Sequence, residues 1–326
     1  MRMNKRIQII QFKNRAAIAV ETASIIATFL PDDGAKLASL RVKKSGKELL
    51  VVKPEEQYKV LEYEGDYCSS ECSGFDDMFP TVDPFAFSEG PYGGITYPDH
   101  GETCRIPYTF DIEHDRVVFQ AKSKLFPIEY QKIVALTDDG ELVFTYSFHN
   151  HGEHDFPFLW AGHIMLQGED GVKVFTPFTE DTPIEMMFAD GESSNEKLPK
   201  DRLIEYQPGR GMTYKFYYLD TMKEGKFGLD YPDGTRLGFE VDTNKLPYLG
   251  IWLDNGTFQD LYSITLEPCT IPFDSVERAG KRGYRSVIPA GGEFSFDIKI
   301  VLDFTVIKHC TLRSENKEGT NYVICR

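Results

Sequence analysis

The sequence predicts an all-β fold, an antiparallel sandwich or barrel with few short helices. Three observations point there. Short β-rich runs recur along nearly the whole chain, turn residues separate them, and no stretch shows convincing helical periodicity. "RAAIAVE" and "SIIATFL" lead into the turn "PDDG", and "AKLASLRV" leads through "KKSGKE" into "LLVV". Residues 54 to 99 are richer in Gly, Pro, Asp and Glu, and "GFDDMFPTVDPFAF" and "EGPYGGITYPD" read as long loops of the kind that carry binding sites on a β scaffold. Strands resume with "RVVFQAK", "PIEYQKIVAL", "ELVFTYSF" and "MTYKFYYL". "KFGLDY" and "RLGFEV", joined by "PDGT", form a hairpin signal, because Asp-Gly supplies the positive φ that tight turns need.

The chain has 326 residues and 41% hydrophobic content, enough for a substantial core. No fixed-period repeat and no Pro/Gly/Ser linker divides it, so one domain is expected over 1–326, with a loosely packed tail at 308–326. The formal charge of −15 opposes nucleic acid and anionic lipid and favours a small neutral partner. A monomer or homodimer is expected. Six scattered cysteines do not make a disulfide scaffold, and the Cys68/Cys72 pair has no second Cys or His pair at zinc-finger distance. The basic start is broken by Gln8, Gln11, Lys13 and Asn14 before any cleavage site, and no apolar run approaches membrane-spanning length. Reduced thiols in a cytoplasm are the expectation.

"LWAGHIMLQG" places His163 inside an apolar run. Strand alternation sets Trp160, Ile164 and Leu166 on one face and Ala161, His163 and Met165 on the other, so the imidazole overlooks a face cleared by Ala161. Taken alone, a buried histidine bonded to a carbonyl is the commoner outcome. In "YPDHGETCRIPYTF", His100 sits beside Gly101, which permits close approach of a ligand, and Asp99 and Glu102 are placed to set its tautomer; a loop histidine in water fits equally well. In "SITLEPCTIPFD", alternation puts Glu267 with Thr265 and Ser263 on a polar face that also suits plain solvent exposure. His149, His151 and His154 in "FHNHGEHD" look like an exposed loop after a strand, and H-x-H alone is a weak ligand signal, so no metal is expected.

Three islands together resemble the aldose 1-epimerase (galactose mutarotase-like) family. "FLPDDGAKLASLRVKKSGKELL" looks like its opening strand and hairpin, "PDHGE" and "FPFLWAGHIML" like its two histidine segments, and "ITLEPCT…VIPAGGEFSFDIKI" like its terminal glutamate strand and closing hairpin. The resemblance spans residues 25 to 302. It implies a β-supersandwich of antiparallel strands with a concave sugar-binding cleft, His163 as general acid, Glu267 as general base and His100 as a substrate-orienting histidine, with no cofactor. Residues 54 to 99 hold no arginine and only Lys59, and Cys104 stands where the hexose-6-phosphate branch carries arginine, which weakens the phosphosugar alternative and leaves Arg105 as the nearby basic candidate. Asp76, Asp77 and Asp83 are candidates to accept hydrogen bonds from sugar hydroxyls. Trp160 alternates away from His163 and is assigned to the core; Trp252 in "YLGIWLDNG" suits either sugar stacking or the core. The expected activity is anomer interconversion of a free aldose. The alternatives are the same reaction on a hexose 6-phosphate, and a carbohydrate-binding or regulatory protein without turnover.

Overall fold

A computed structural model describes residues 6–137, 141–179, 181–190, 206 and 213–304. The expected tail at 308–326, with Cys310 and Cys325, lies outside the described residues. Two large antiparallel sheets dominate. The ten-stranded sheet runs, edge to edge, Ile7–Phe12, Arg15–Glu21, Ile25–Leu30, Lys36–Val42, Phe75–Met78, Ala161–Gln167, Tyr262–Cys269, Tyr248–Asn255, Thr213–Tyr218 and Ile184–Asp190. The eight-stranded sheet runs Lys173–Phe175, Lys226–Asp230, Thr235–Val241, Glu293–Phe304, Leu142–Asn150, Ile128–Leu136, Arg116–Lys122 and Thr109–Glu113. Lys226–Asp230 and Thr235–Val241 pair as the Asp-Gly hairpin, with Gly234 at φ 84° in its turn. A single short α-helix is described, Val276–Lys281, capped by Ser275, whose side chain accepts from the Arg278 backbone N–H.

The sheets pack face to face over one core, and strand alternation decides what enters it. Trp160, Ile164 and Leu166 point into that core with Phe29, Phe75, Phe144 and Phe296, while Ala161 and Met165 belong to a second apolar cluster on the outer face of the larger sheet. Trp160 is fully buried there, its ring 4.6 Å from Phe296. Among the described residues no helix is long and apolar enough to cross a membrane.

One stretch read as loop belongs to the sheet. Phe75–Met78 is a buried strand between Lys36–Val42 and Ala161–Gln167. Two adjacent acids hid it, since alternation sends them to opposite faces. Asp77 turns between the sheets to Lys132, whose Nζ lies 2.8 Å from its carboxylate, and Asp76 turns outward to Lys36 at 3.0 Å. Each buried carboxylate thus has its own cation, the condition on which charges tolerate a core.

Candidate active site

A cleft of roughly 340 Å³ opens on the outer face of the larger sheet. Its walls include His100, His163, Asp83, Trp252, Lys215 and Asp274. The sheet register explains why these gather. His163 pairs with Asp76 on one side, and on the other the register of Ala161 with Cys269 and Ile164 with Leu266 sets His163 opposite Glu267. Glu267 in turn pairs with Gly250, and Gly250 with Tyr217. A row of facing residues therefore crosses five adjacent strands on one face, with polar side chains on four of them and Gly250 on the other, since residues directly opposite in a sheet share a face.

His163 is 3% exposed and Glu267 is 1% exposed, with His163 Nε2 4.0 Å from Glu267 Oε1. That oxygen and His163 Nδ1 are buried and have no hydrogen-bond partner among the described residues. The other carboxylate oxygen, Oε2, accepts from Lys215 Nζ at 2.9 Å and from the Tyr217 hydroxyl at 2.8 Å. His163 lines the cleft, whereas Glu267 lies just beneath its surface. Burial, reinforced by His100, Lys215 and Lys36, holds the His163 imidazole well below its ordinary range and favours the neutral ring. Burial pushes the Glu267 carboxyl up; Lys215 opposes this and Asp274 adds to it.

His100 sits in a turn at φ 57°, a left-handed conformation strained for a side-chain-bearing residue. Its N–H donates to the Val82 carbonyl, and Asp99 Oδ2 lies 3.0 Å from its Nδ1. The other flanking acid, Glu102, turns away and accepts from the Tyr63 and Tyr130 hydroxyls. Gly101 is needed for packing by the chain itself rather than by a ligand, for a Cβ there would lie 2.4 Å from the Phe79 carbonyl oxygen. The Tyr67 ring stacks on His100 at 3.9 Å, and its hydroxyl donates to Asp76 at 2.8 Å, linking the histidine to the buried Lys36–Asp76 pair.

The expected site residues divide on this geometry. His100, His163, Asp83 and Trp252 line the cleft, and the Trp252 ring lies 5.7 Å from His163. Asp76 and Asp77 do not line it, because each is buried against its lysine. Arg105 does not reach it either. It is 7% exposed, and its guanidinium donates to the carbonyls of Tyr63, Gly65, Asp99 and Gly101, which fastens the loop around His100. His149 and His151 lie on the surface, their rings 4.4 Å apart. Sequence reasoning missed Lys215, Tyr217, Asp274 and Tyr67. The signal for Lys215 was present, since "MTYKFYYL" sets one charge inside an apolar run as "LWAGHIMLQG" does.

No protein-family model matches the chain, and no curated protein does. Solved structures do match. A galactose mutarotase-like protein from Clostridium acetobutylicum superposes with TM-score 0.63 at 18% identity, over 93% of this chain and 100% of that one. A candidate aldose 1-epimerase from Klebsiella pneumoniae gives TM-score 0.67 at 13% identity, over 91% of this chain and 82% of that one. A galactose mutarotase-like protein from Lactobacillus casei gives 0.58 at 17% identity, over 88% and 100%. At such identities the likeness is one of architecture, and it agrees with the antiparallel sheets described above: this chain has the galactose mutarotase-like fold.

Proposed function

We propose that this protein is an aldose 1-epimerase acting on a free aldose. The observation that carries the reading is the facing pair His163 and Glu267, 4.0 Å apart, with a buried carboxylate oxygen that has no hydrogen-bond partner among the described residues. A substrate hydroxyl at an ordinary hydrogen-bond distance of about 2.8 Å can touch both atoms at once. Burial lowers the proton affinity of His163 and raises that of Glu267, and in this reading the reacting pair carries one proton between them. The member that carries it donates to the sugar ring oxygen while the other removes the proton of the anomeric hydroxyl. The bond from C1 to the ring oxygen breaks and C1 becomes an aldehyde. Rotation about C1–C2 presents the other carbonyl face, and the reverse proton transfers close the opposite anomer, returning the proton to the pair. His100 would orient the sugar, and Trp252 would stack on it.

A neutral aldose fits better than a phosphate. The cleft cations Lys215 and Arg278 already face carboxylates, Glu267 and Asp274 for the first and Glu185 for the second. A phosphate dianion there would compete with existing pairs. The reading of a sugar-binding protein without turnover draws on Glu267 lying beneath the cleft surface. Anomer exchange measured by NMR over free and phosphorylated aldoses separates the three. Turnover of a free aldose, falling about 10²-fold or more in both His163→Ala and Glu267→Gln while sugar still binds, supports the proposal. A preference for the 6-phosphate selects the second reading, and binding without exchange for every aldose selects the third.

A further inference from the structure

The two groups that hold Glu267 Oε2 come from a strand that does not adjoin its own. Lys215 and Tyr217 lie on Thr213–Tyr218, and Tyr248–Asn255 runs between that strand and the Glu267 strand. Tyr217 reaches across because the intervening residue in register with both it and Glu267 is Gly250, while Lys215 crosses from the position opposite Trp252. A Cβ at Gly250 would lie 2.5 Å from the Tyr217 ring, so only glycine lets the phenol pass over the strand. Asp274, from the turn after the Glu267 strand, accepts from Lys215 at 2.7 Å, and its Oδ1, 2.7 Å from the Tyr217 hydroxyl, shares that group's single proton with Glu267. Burial pulls the Lys215 ammonium down, but Asp274 and Glu267 outweigh it and hold the amine charged, unsuited to serve as nucleophile or proton carrier.

We propose that Lys215 and Tyr217, the latter admitted across the sheet by Gly250, are positioning residues that tie down Oε2 of Glu267 and leave Oε1 as its single working oxygen toward His163. The inference rests on the acid/base reading above. The charged and titratable groups around Glu267 are few: His163 from the neighbouring strand, Lys215 and Tyr217 from beyond Gly250, Asp274 from the following turn, and Cys269 on its own strand. Behind His163 stand His100 and Lys36. Without Lys215, the buried carboxylate would face Asp274 with no cation between them, and two carboxylates so placed cannot both stay ionised. Glu267 would then take up a proton at higher pH and would be free to rotate its two oxygens.

The test uses full-length protein with ¹³C-labelled glutamate carboxyls, the Glu267 resonance assigned by its loss in Glu267→Gln. Its titration is followed beside anomer exchange of glucose and galactose in the wild type, Lys215→Met, Lys215→Arg and Tyr217→Phe. The expected result is that Glu267 titrates at higher pH in Lys215→Met and by a smaller step in Tyr217→Phe. The acidic limb of kcat/KM should move up with it, kcat at neutral pH should fall about tenfold or more with KM little changed, and Lys215→Arg should restore most of the difference. A Glu267 titration that does not move in either variant overturns the proposal. If Lys215→Met does not fold, Tyr217→Phe decides by the same criterion, since it removes one hydrogen bond and no charge. If the wild type exchanges no aldose while the Glu267 titration still moves as expected, the acid/base reading fails and the positioning role stands.

Discussion

Replacing Gly250 with alanine adds one methyl group at the point where the Tyr217 ring crosses the strand. The new Cβ would stand 2.5 Å from Tyr217 Cε1 and 3.0 Å from both Cδ1 and Cζ, and the ring is fully buried, so it cannot swing into solvent. Forcing extra volume into such a contact costs about 1–3 kcal/mol. If the ring moves far enough to lose Glu267 and Asp274, which it holds at 2.8 and 2.7 Å, the lost bonds to charged acceptors add about 1.5–3 kcal/mol. Against this, alanine recovers about 0.5–1 kcal/mol of the backbone entropy that glycine forfeits in a strand. Gly250 is not among the glycines with positive φ, so alanine brings no backbone strain of its own. The net expectation is a loss of about 2–4 kcal/mol. Equilibrium urea unfolding measures it as a lower midpoint at unchanged slope. The assignment to Tyr217 comes from a double-mutant cycle: in a Tyr217→Ala background the ring is gone, and Gly250→Ala should become neutral or slightly stabilising, a coupling of about 2–5 kcal/mol. An equal cost in both backgrounds would refute the reasoning, because it would place the strain in the backbone and not against the ring.

Lys132→Met should destabilise by about 3–5 kcal/mol, because it strands Asp77 between the sheets, and adding Asp77→Leu should recover most of the loss; chemical denaturation of the three proteins checks this. His163, held below its ordinary range, binds its proton less readily folded than unfolded, so its effect on stability is absent above the unfolded value of about 6.5 and grows as a penalty as pH falls below it. His163→Gln should therefore lose less stability than the wild type between neutrality and pH 5, as thermal unfolding across pH would show. Arg105→Met should cost about 2–4 kcal/mol, since four carbonyls around the His100 loop lose a charged donor, and it should not change the ratio of activity on free and phosphorylated sugars. A selective loss of phosphosugar activity in that variant would instead return Arg105 to the binding surface.

The two sheets, the Asp-Gly hairpin and the outward face of His163 were legible in the sequence because each depends on neighbours within a few residues. Period-2 alternation sets Trp160 and His163 on opposite faces without knowledge of the partner strands, and only the resemblance implied that the histidine's face carries a cleft. The acids at 76 and 77 were not legible, since their cations stand at positions 36 and 132 and only the sheet pairing brings them near. Arg105 misled for a related reason. A basic residue beside a candidate histidine suggests an anion, and nothing local reveals that folding surrounds its guanidinium with carbonyls. Lys215 carried the same local signal as His163, but its meaning depends on Glu267 and Asp274, more than fifty residues away, and that of Tyr217 on Gly250, a residue with no side chain to announce a role.

The polar row through Asp76, His163, Glu267 and Tyr217 also bears on how the molecule reaches its working state. Successive members of the row come from chain positions separated by 50 to 104 residues and meet only when five strands from across the sequence are in register. Loops of that length must close before the contacts form, which places such assemblies late on a folding route dominated by non-local pairing. A partly folded chain can hold the local hairpins and much of the core cluster without any trace of the site. Recovery of sugar binding after dilution from denaturant should accordingly track the slowest phase of refolding, and a sheet that closes one residue out of step should be stable enough to persist yet be inert.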